Sequence, residues 1–170
     1  MEIIEKYEPW IDYWVSEPDK GQSHTIDKGF ARRTGHWATW INSNDMLQPG
    51  ALQSHIEKFE YIPNVLYIGR CRIVDEKGNT VRLHEGRVES FGDLVAIPEV
   101  WRNQEKPGHI VQPEVLFPLE LYKDISSLDE LLDYAMDYDL WGRMLLHGAS
   151  VHYTAIDIGV FRVHSSQKNI

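Results

Sequence analysis

Apolar positions along the chain fall in short blocks whose period switches between helical and extended, with turn residues between them. Ile3, Ile4 and Tyr7 recur at helical spacing and stop at Pro9, which predicts the last turns of a helix. IDYWVSEP, from Ile11, is rich in β-branched and aromatic residues and predicts a buried strand closed by Asp19-Lys20-Gly21. Ile26 and Phe30 lie four apart between Gln22 and Thr34, a helical pattern with Gly35 as its stop. HWATWIN predicts a second strand, ended by Asn42-Ser43-Asn44-Asp45. Pro49 then suits the first turn of a helix presenting Leu52, Ile56 and Phe59 to a core.

Further along, VLYIGRCRIVDEKGNTVRLHE predicts a hairpin with Asp75 to Asn79 as its loop. Val88 to Gly108 has weak periodicity and is expected to be irregular, a segment suited to face a substrate. VLFPLELY is a short apolar stretch. SLDELLDYAMDYDLWGRMLLHG carries Leu131, Leu132, Ala135, Met136, Leu140, Trp141, Met144 and Leu145 on one helical face, with Asp133 and Asp137 on another. VHYTAIDIGVFRVHSS is strand-like. No repeat, low-complexity tract or linker divides the 170 residues, so one domain is expected.

Composition narrows the class. With 42% apolar and 25% charged residues the chain has the balance of a globular protein, and its formal charge of -9 gives no basic block for nucleic acid or anionic membrane. The single Cys71 forms no internal disulfide, and no apolar run has the length of a membrane span, which together predict a cytoplasmic protein. The chain holds 6 Trp and 8 Tyr, including clusters at Trp10-Tyr13-Trp14 and Trp37-Trp40. Such rings either fill a core or stack on sugars, and the core reading is the more economical.

Motifs remove several enzyme classes: there is no Walker loop, dinucleotide glycine triplet, paired-Cys motif or HExxH helix. Ser165 to Lys168 fits SxxK only formally. Three polar loci remain, namely Asp19 with Gly21 and Gln22, Asn42 to Asp45, and Asp137 with Asp139. Carboxylates at strand ends can hold a hard cation against a diphosphate, and a separate carboxylate can take a proton from a hydroxyl. Each locus also has a plain structural role: a turn, a strand-end turn, and acids favoured in a helix's first turn. His164, beside two serines, gains meaning only if the fold brings it to Asp45.

SEPDKGQSHTIDKGF, GHWATWINSNDMLQPGAL, QPEVLFPLELY, YAMDYDLWGRMLLHGASVHY and FRVHSSQKN occur in an order that resembles the family-2 inverting glycosyltransferases, over nearly the whole chain. The resemblance implies an α/β GT-A (Rossmann-like) mixed sheet flanked by helices. It also implies a nucleotide-diphosphate sugar donor, a carbohydrate or lipid-linked acceptor, a divalent Mn or Mg, and direct displacement by the acceptor hydroxyl. Asn42 and Asn44 then stand where acids are usual in the DxD motif and only Asp45 is kept, so metal affinity should fall because an amide oxygen brings no charge. Asp137 resembles the catalytic base and Trp141 part of the acceptor-side wall. Asp19, Lys20, Gly21 and Gln22 resemble the donor-nucleotide loop, and His164 resembles a late His near metal or diphosphate.

The family's opening strand, helix and second strand have no counterpart before MEIIEKYE, so the resemblance implies a truncated domain lacking a nucleotide half-site. In that frame IDYWVSE and HWATWIN lose a neighbouring strand, and the chain is expected to pair them directly, to form a homodimer through them, or to be poorly stable. Two functions follow: a glycosyltransferase, or a non-catalytic interaction module of the same descent. A metal hydrolase on the same acids has no ligand spacing behind it.

Overall fold

A computed structural model describes residues 2–96, 108–132 and 134–164. The strands are β1 (Trp37–Ala38), β2 (Met46–Leu47), β3 (Val65–Val74), β4 (Thr80–Glu85), β5 (Val115–Pro118) and β6 (Ser150–Arg162). The helices are α1 (Glu2–Tyr7), α2 (Gln22–Ala31), α3 (Ala51–Lys58), α4 (Phe91–Val95), α5 (Leu119–Asp124) and α6 (Met136–Leu146).

β3 organises the sheet. Its near-continuous apolar run is that of a strand buried on both faces. Leu66 and Ile68 point into one layer with Phe117, Leu140, Trp141 and Met144, while Val65 and Tyr67 point into the other with Ala51, Leu116 and Ile158. The first half of β3 pairs antiparallel with β5 and the second half with β4, while β6 runs parallel along its other side. β1 extends the sheet beyond β5 and β2 extends it beyond β6, giving the order β1-β5-β3-β6-β2.

Two glycines permit this packing. The β3–β6 register shifts around Arg70, and a Cβ on Gly69 would come within 2.7 Å of the Ile156 carbonyl oxygen. A 3-10 turn at Gln112–Glu114 crosses β6 so closely that a Cβ on Gly159 would lie 2.5 Å from the Pro113 carbonyl oxygen.

Several expectations hold: the short N-terminal helix, the helix from Gln22, the hairpin turning at Asp75 to Asn79, and the last long strand. Others are corrected. Ile11 to Glu17 forms no strand, since no described strand lies beside it to accept its hydrogen bonds; it stays irregular, held by Lys28 Nζ to Glu17 (2.5 Å) and by Arg32 over the Tyr13 ring (3.9 Å). The expected direct pairing of this segment with HWATWIN does not occur: β1 shrinks to two residues and pairs with β5. Trp10, 78% exposed, is no core residue, whereas Trp37 and Trp40 pack against the two core layers.

α3 is rotated from its expected face. Ala51 and His55 point inward with Phe59 behind them, and Ile56 is 58% exposed. α6 starts later than the apolar face predicted, because Ser126, Ser127 and Ala135 adopt left-handed backbone and Asp129 bonds the Leu131 N–H, a turn that competes with helix. Asp133 lies outside the described residues, as do most of Val88 to Gly108 and Ser165 to Lys168. The described part of the supposedly irregular stretch contains α4, where Ser90 and Asp93 form a capping box.

His55 is enclosed by Trp37 (centroids 4.7 Å apart), Phe59 and Tyr67, and neither ring nitrogen has a hydrogen-bond partner among the described residues. Burial therefore holds its pKa down from 6.5 to about 4. The unfolded chain binds a proton here near pH 6.5 that the folded chain refuses until pH 4, so this group subtracts stability as pH falls through that window. His55→Phe is expected to shrink the stability difference between pH 7 and pH 5 in urea melts. Gly159→Ala is expected to cost roughly 1–3 kcal/mol by overpacking against Pro113, read as a lower urea midpoint at unchanged slope.

Candidate functional site

Parallel strands bring their carboxyl ends to one edge of the sheet, where the chain from β1 meets the end of β6, and α2 links the start of α6 to it. The cluster Asn42 to Asp45 turns at this edge, with the Asp45 N–H bonded to the Asn42 carbonyl (3.0 Å). Asp45 is buried. Its Oδ1 accepts the Arg162 backbone N–H (3.1 Å) and its Oδ2 the Asn42 amide (3.4 Å), so the loop is tied to the end of β6. Burial raises the Asp45 pKa, against the lowering effect of the Arg162 N–H and the Asn42 amide.

The loop is also tied to the start of α2. Gln22 Nε2 donates to Asn42 Oδ1 (2.7 Å), and Gly21, whose φ of 127° suits glycine, precedes the first turn. Asp19 is exposed, with Oδ1 accepting the Gly21 N–H (2.9 Å). Its pKa is lowered by the Thr25 hydroxyl and then by that N–H. The Lys20 backbone N–H approaches His24 Nδ1 at 3.4 Å. On the far side, Asn44 Nδ2 lies 2.7 Å from His164 Nε2. A cleft of about 490 Å³ opens beside His164, lined by the hairpin-loop residues Asp75, Glu76, Lys77 and Asn79, a volume within the range of small-ligand sites.

Asp137 reaches the same edge through its neighbours. Ser23, next to Gln22, donates to Met136 Sδ (3.0 Å), next to Asp137. Tyr138 bonds the Ile110 carbonyl (3.1 Å), and Gln112 bonds the Trp40 carbonyl where the chain leaves β1. The Asp137 carboxylate is half-buried and accepts the Tyr138 N–H (2.9 Å); burial raises its pKa, so at neutral pH it is a stronger base than a free Asp. Trp141 is 0% exposed, in contact with Tyr138, and its indole N–H has no partner among the described residues. It supports the site from the core.

The fold thus assembles Gln22, Asn42, Asn44, Asp45 and His164, with Asp137 one residue from a contact to the same helix turn. Asp19 and Lys20 stay at the rim, bonded among the described residues within their own loop and the start of α2. Arg162 is the residue that the sequence did not single out. Besides its N–H, its guanidinium meets the carbonyls of Asn44 (3.4 Å), Asp75 (3.4 Å) and Glu76 (3.3 Å), all neutral partners. The one available signal was its place two residues before His164.

A divalent ion fits this set poorly. Asp45 is the one acid in it, both of its oxygens are engaged, Asn42 Oδ1 is taken by Gln22, and His164 faces an amide. Among the described residues no group of three His, Cys, Asp or Glu is arranged to hold a metal, and no helix is long and apolar enough to cross a membrane.

No protein-family model matches the chain. Curated proteins do: a protein of Rickettsia conorii named an uncharacterized glycosyltransferase is 23% identical over 161 residues, covering 92% of this chain and 26% of its own length. One of Rickettsia typhi with the same description is 24% identical, covering 97% of this chain and 51% of its own. The chain therefore spans between a quarter and half of these relatives. Among solved structures, S. aureus TarS 1-349 superposes with a TM-score of 0.64 at 16% identity, over 95% of this chain and 47% of that one. A longer TarS structure gives 0.57 at 14% identity, over 95% and 28%. The chain is glycosyltransferase-like: its sequence is similar along nearly its whole length to proteins named glycosyltransferases, and its mixed α/β sheet flanked by helices is the fold of the glycosyltransferase TarS.

Proposed function

We propose that the chain carries the reaction centre of an inverting glycosyltransferase that moves a sugar from a nucleotide-diphosphate donor to an acceptor hydroxyl. The observation that supports this best is the meeting, at one sheet edge, of a polar cluster around Asp45 with a carboxylate of raised pKa at Asp137. In this reading Asp137 takes the proton of the acceptor hydroxyl as its oxygen attacks the anomeric carbon. The bond from that carbon to the diphosphate breaks on the opposite face, and the electron pair leaves with the diphosphate.

Charge must then be balanced at the leaving group. Asn42 and Asn44 bring no charge, whereas the Arg162 guanidinium, whose hydrogen-bond partners among the described residues are carbonyls, brings a positive charge beside Asn44 and the cleft that the buried Asp45 also feels. Arg162 is therefore assigned the anion-stabilising role, with the amide groups and His164 orienting the diphosphate. No step requires the metal that this donor set fits poorly.

Calorimetric titration with UDP-, GDP- and dTDP-sugars is expected to give heat with one donor class, and heat with none would sink the proposal. Arg162→Gln should weaken donor binding about tenfold or more, the scale of a charge-assisted hydrogen bond. Asp137→Asn should leave donor binding intact and slow transfer by roughly 10²–10⁴, the usual worth of a general base. A second reading, an interaction module without catalysis, draws on the way Asn42, Asn44, Asp45 and His164 already satisfy one another. It requires that Asp137→Asn change nothing in any transfer assay.

A further inference from the structure

Between β4 and the 3-10 turn at Gln112–Glu114 lies a cluster of buried ionisable side chains that the transfer described above does not use. Glu114 is 0% exposed, and His84 and His109 are each 3% exposed. His84 Nε2 stands 3.4 Å from Glu114 Oε1, 3.1 Å from the His109 carbonyl and 3.3 Å from His109 Nδ1. Groups of this kind are costly in a core unless they are neutral or well paired.

Arg82 decides between the two. Its guanidinium, which can only donate, lies 3.4 Å from His84 Nδ1, so that nitrogen is the acceptor and the ring carries its proton on Nε2. A His84 imidazolium paired with a Glu114 carboxylate would need a second N–H on Nδ1, facing the Arg82 cation. Glu114 Oε1 accepts the Val111 N–H (2.9 Å), the Gly86 N–H also reaches the carboxyl, and Oε2 is buried with no hydrogen-bond partner among the described residues. Ionisation would leave charge on that bare oxygen. Burial accordingly raises the Glu114 pKa well above 4.5, against the two N–H groups and Arg82, and it holds His84 and His109 down to about 4.

The groups packed around the cluster leave this balance in place. Cys71 of β3 and Tyr138 of α6 are both kept protonated by burial, while Asp45 acts on the first and Asp137 on the second. Arg70 and Arg72 lie on the other face of β3 from Cys71. Glu85 acts on His84 from an exposed position, and on β6 Asp157 is turned to Arg70 and Arg162 to the polar loop and the hairpin.

The turn that Glu114 closes holds both halves of the reaction centre. Ile110, next to Val111, grips the Tyr138 hydroxyl with its N–H (3.3 Å) and its carbonyl (3.1 Å), and the Tyr138 N–H is bonded to Asp137. Gln112 bonds the Trp40 carbonyl just ahead of Asn42. On the other side the carboxyl lies so close to β4's exit that a Cβ on Gly86 would collide with it.

We propose that Glu114 is a positioning residue for Asp137: its un-ionised carboxyl fastens the turn at Val111 to the end of β4 and, through Ile110 and Tyr138, sets the first turn of α6. Its part in transfer rests on the glycosyltransferase reading, whereas its proton and its hold on Asp137 do not. An acid that keeps its proton in the folded chain but releases it near 4.5 in the unfolded one contributes stability that is full below that pH and is lost as pH rises.

The test is carbon NMR of the side-chain carboxyls in the 170-residue chain, beside urea melts. The Glu114 signal is expected at its protonated position at pH 7. Glu114→Gln keeps an oxygen for the Val111 N–H and carries no charge, so Asp137 should titrate as in the parent, and the urea midpoint should rise relative to the parent's between pH 5 and pH 8. Glu114→Met, of equal length but without an acceptor, should move the Asp137 midpoint back toward 3.8 and lower kcat about tenfold or more with KM little changed. Tyr138→Phe cuts the link at the phenol and should move Asp137 the same way with the Glu114 signal unaltered, a readout that stands if the Met variant does not fold. A Glu114 signal ionised at pH 7, a Gln variant that disturbs Asp137, or an Asp137 midpoint indifferent to Tyr138→Phe overturns the inference. An Asp137 response without transfer from any donor removes the transferase reading alone, and transfer with an unmoved Asp137 removes this inference alone.

Discussion

The structure depends on the parallel pairing of β3 with β6. Parallel ladders survive only when both faces are covered, since their backbone groups have no water to fall back on. That requirement places α4, α5 and α6 with one apolar layer and α3 with the other. It also explains the glycines: Gly69 stands where β6 itself crowds β3, and Gly159 where the covering chain at Pro113 presses on β6. Running in the same direction, the two strands deliver Val74 and Arg162 to one edge, and the polar loop after β1 closes on that edge because Asp45 finds the Arg162 N–H there.

The chemistry at the edge is a trade between charge and satisfaction. A carboxylate-rich loop would hold a cation and keep its own acids apart. With Asn42 and Asn44 in place the loop instead hydrogen-bonds to itself, to Gln22 and to His164, and positive charge comes from Arg162 in the protein. Burial then raises Asp45 and Asp137 together. The same physical cause has different meanings: for Asp45 it marks an acid used as a fastener, for Asp137 a half-open acid with proton affinity to spare.

Long signals were legible in the sequence and relational ones were not. The β3–β4 hairpin and β6 announce themselves by length, period and an Asp-Glu-Lys-Gly-Asn loop, and the order of the polar loop before α3 placed Asp45 at a strand end. The register of α3 was ambiguous because Leu52-Ile56-Phe59 and Ala51-His55-Phe59 both make a helical stripe, and the second wins by burying a histidine in an aromatic box. IDYWVSEP has strand composition, but a strand is a property of two segments and the described residues supply one. The role of Arg162 rests on a backbone N–H and three carbonyl contacts, which no residue pattern records.

The bond from Asp45 to the Arg162 N–H also joins two kinds of event. Since that N–H belongs to the last residue of β6, the polar loop cannot swing out without releasing a strand end, and the strand end cannot fray without freeing a buried carboxylate. Anything that grips the loop therefore slows solvent exchange at the Arg162 amide, and anything that loosens the sheet there disperses the site. Occupancy of the loop and order of the sheet become one equilibrium, so a ligand at this edge acts as a fastener for the fold itself.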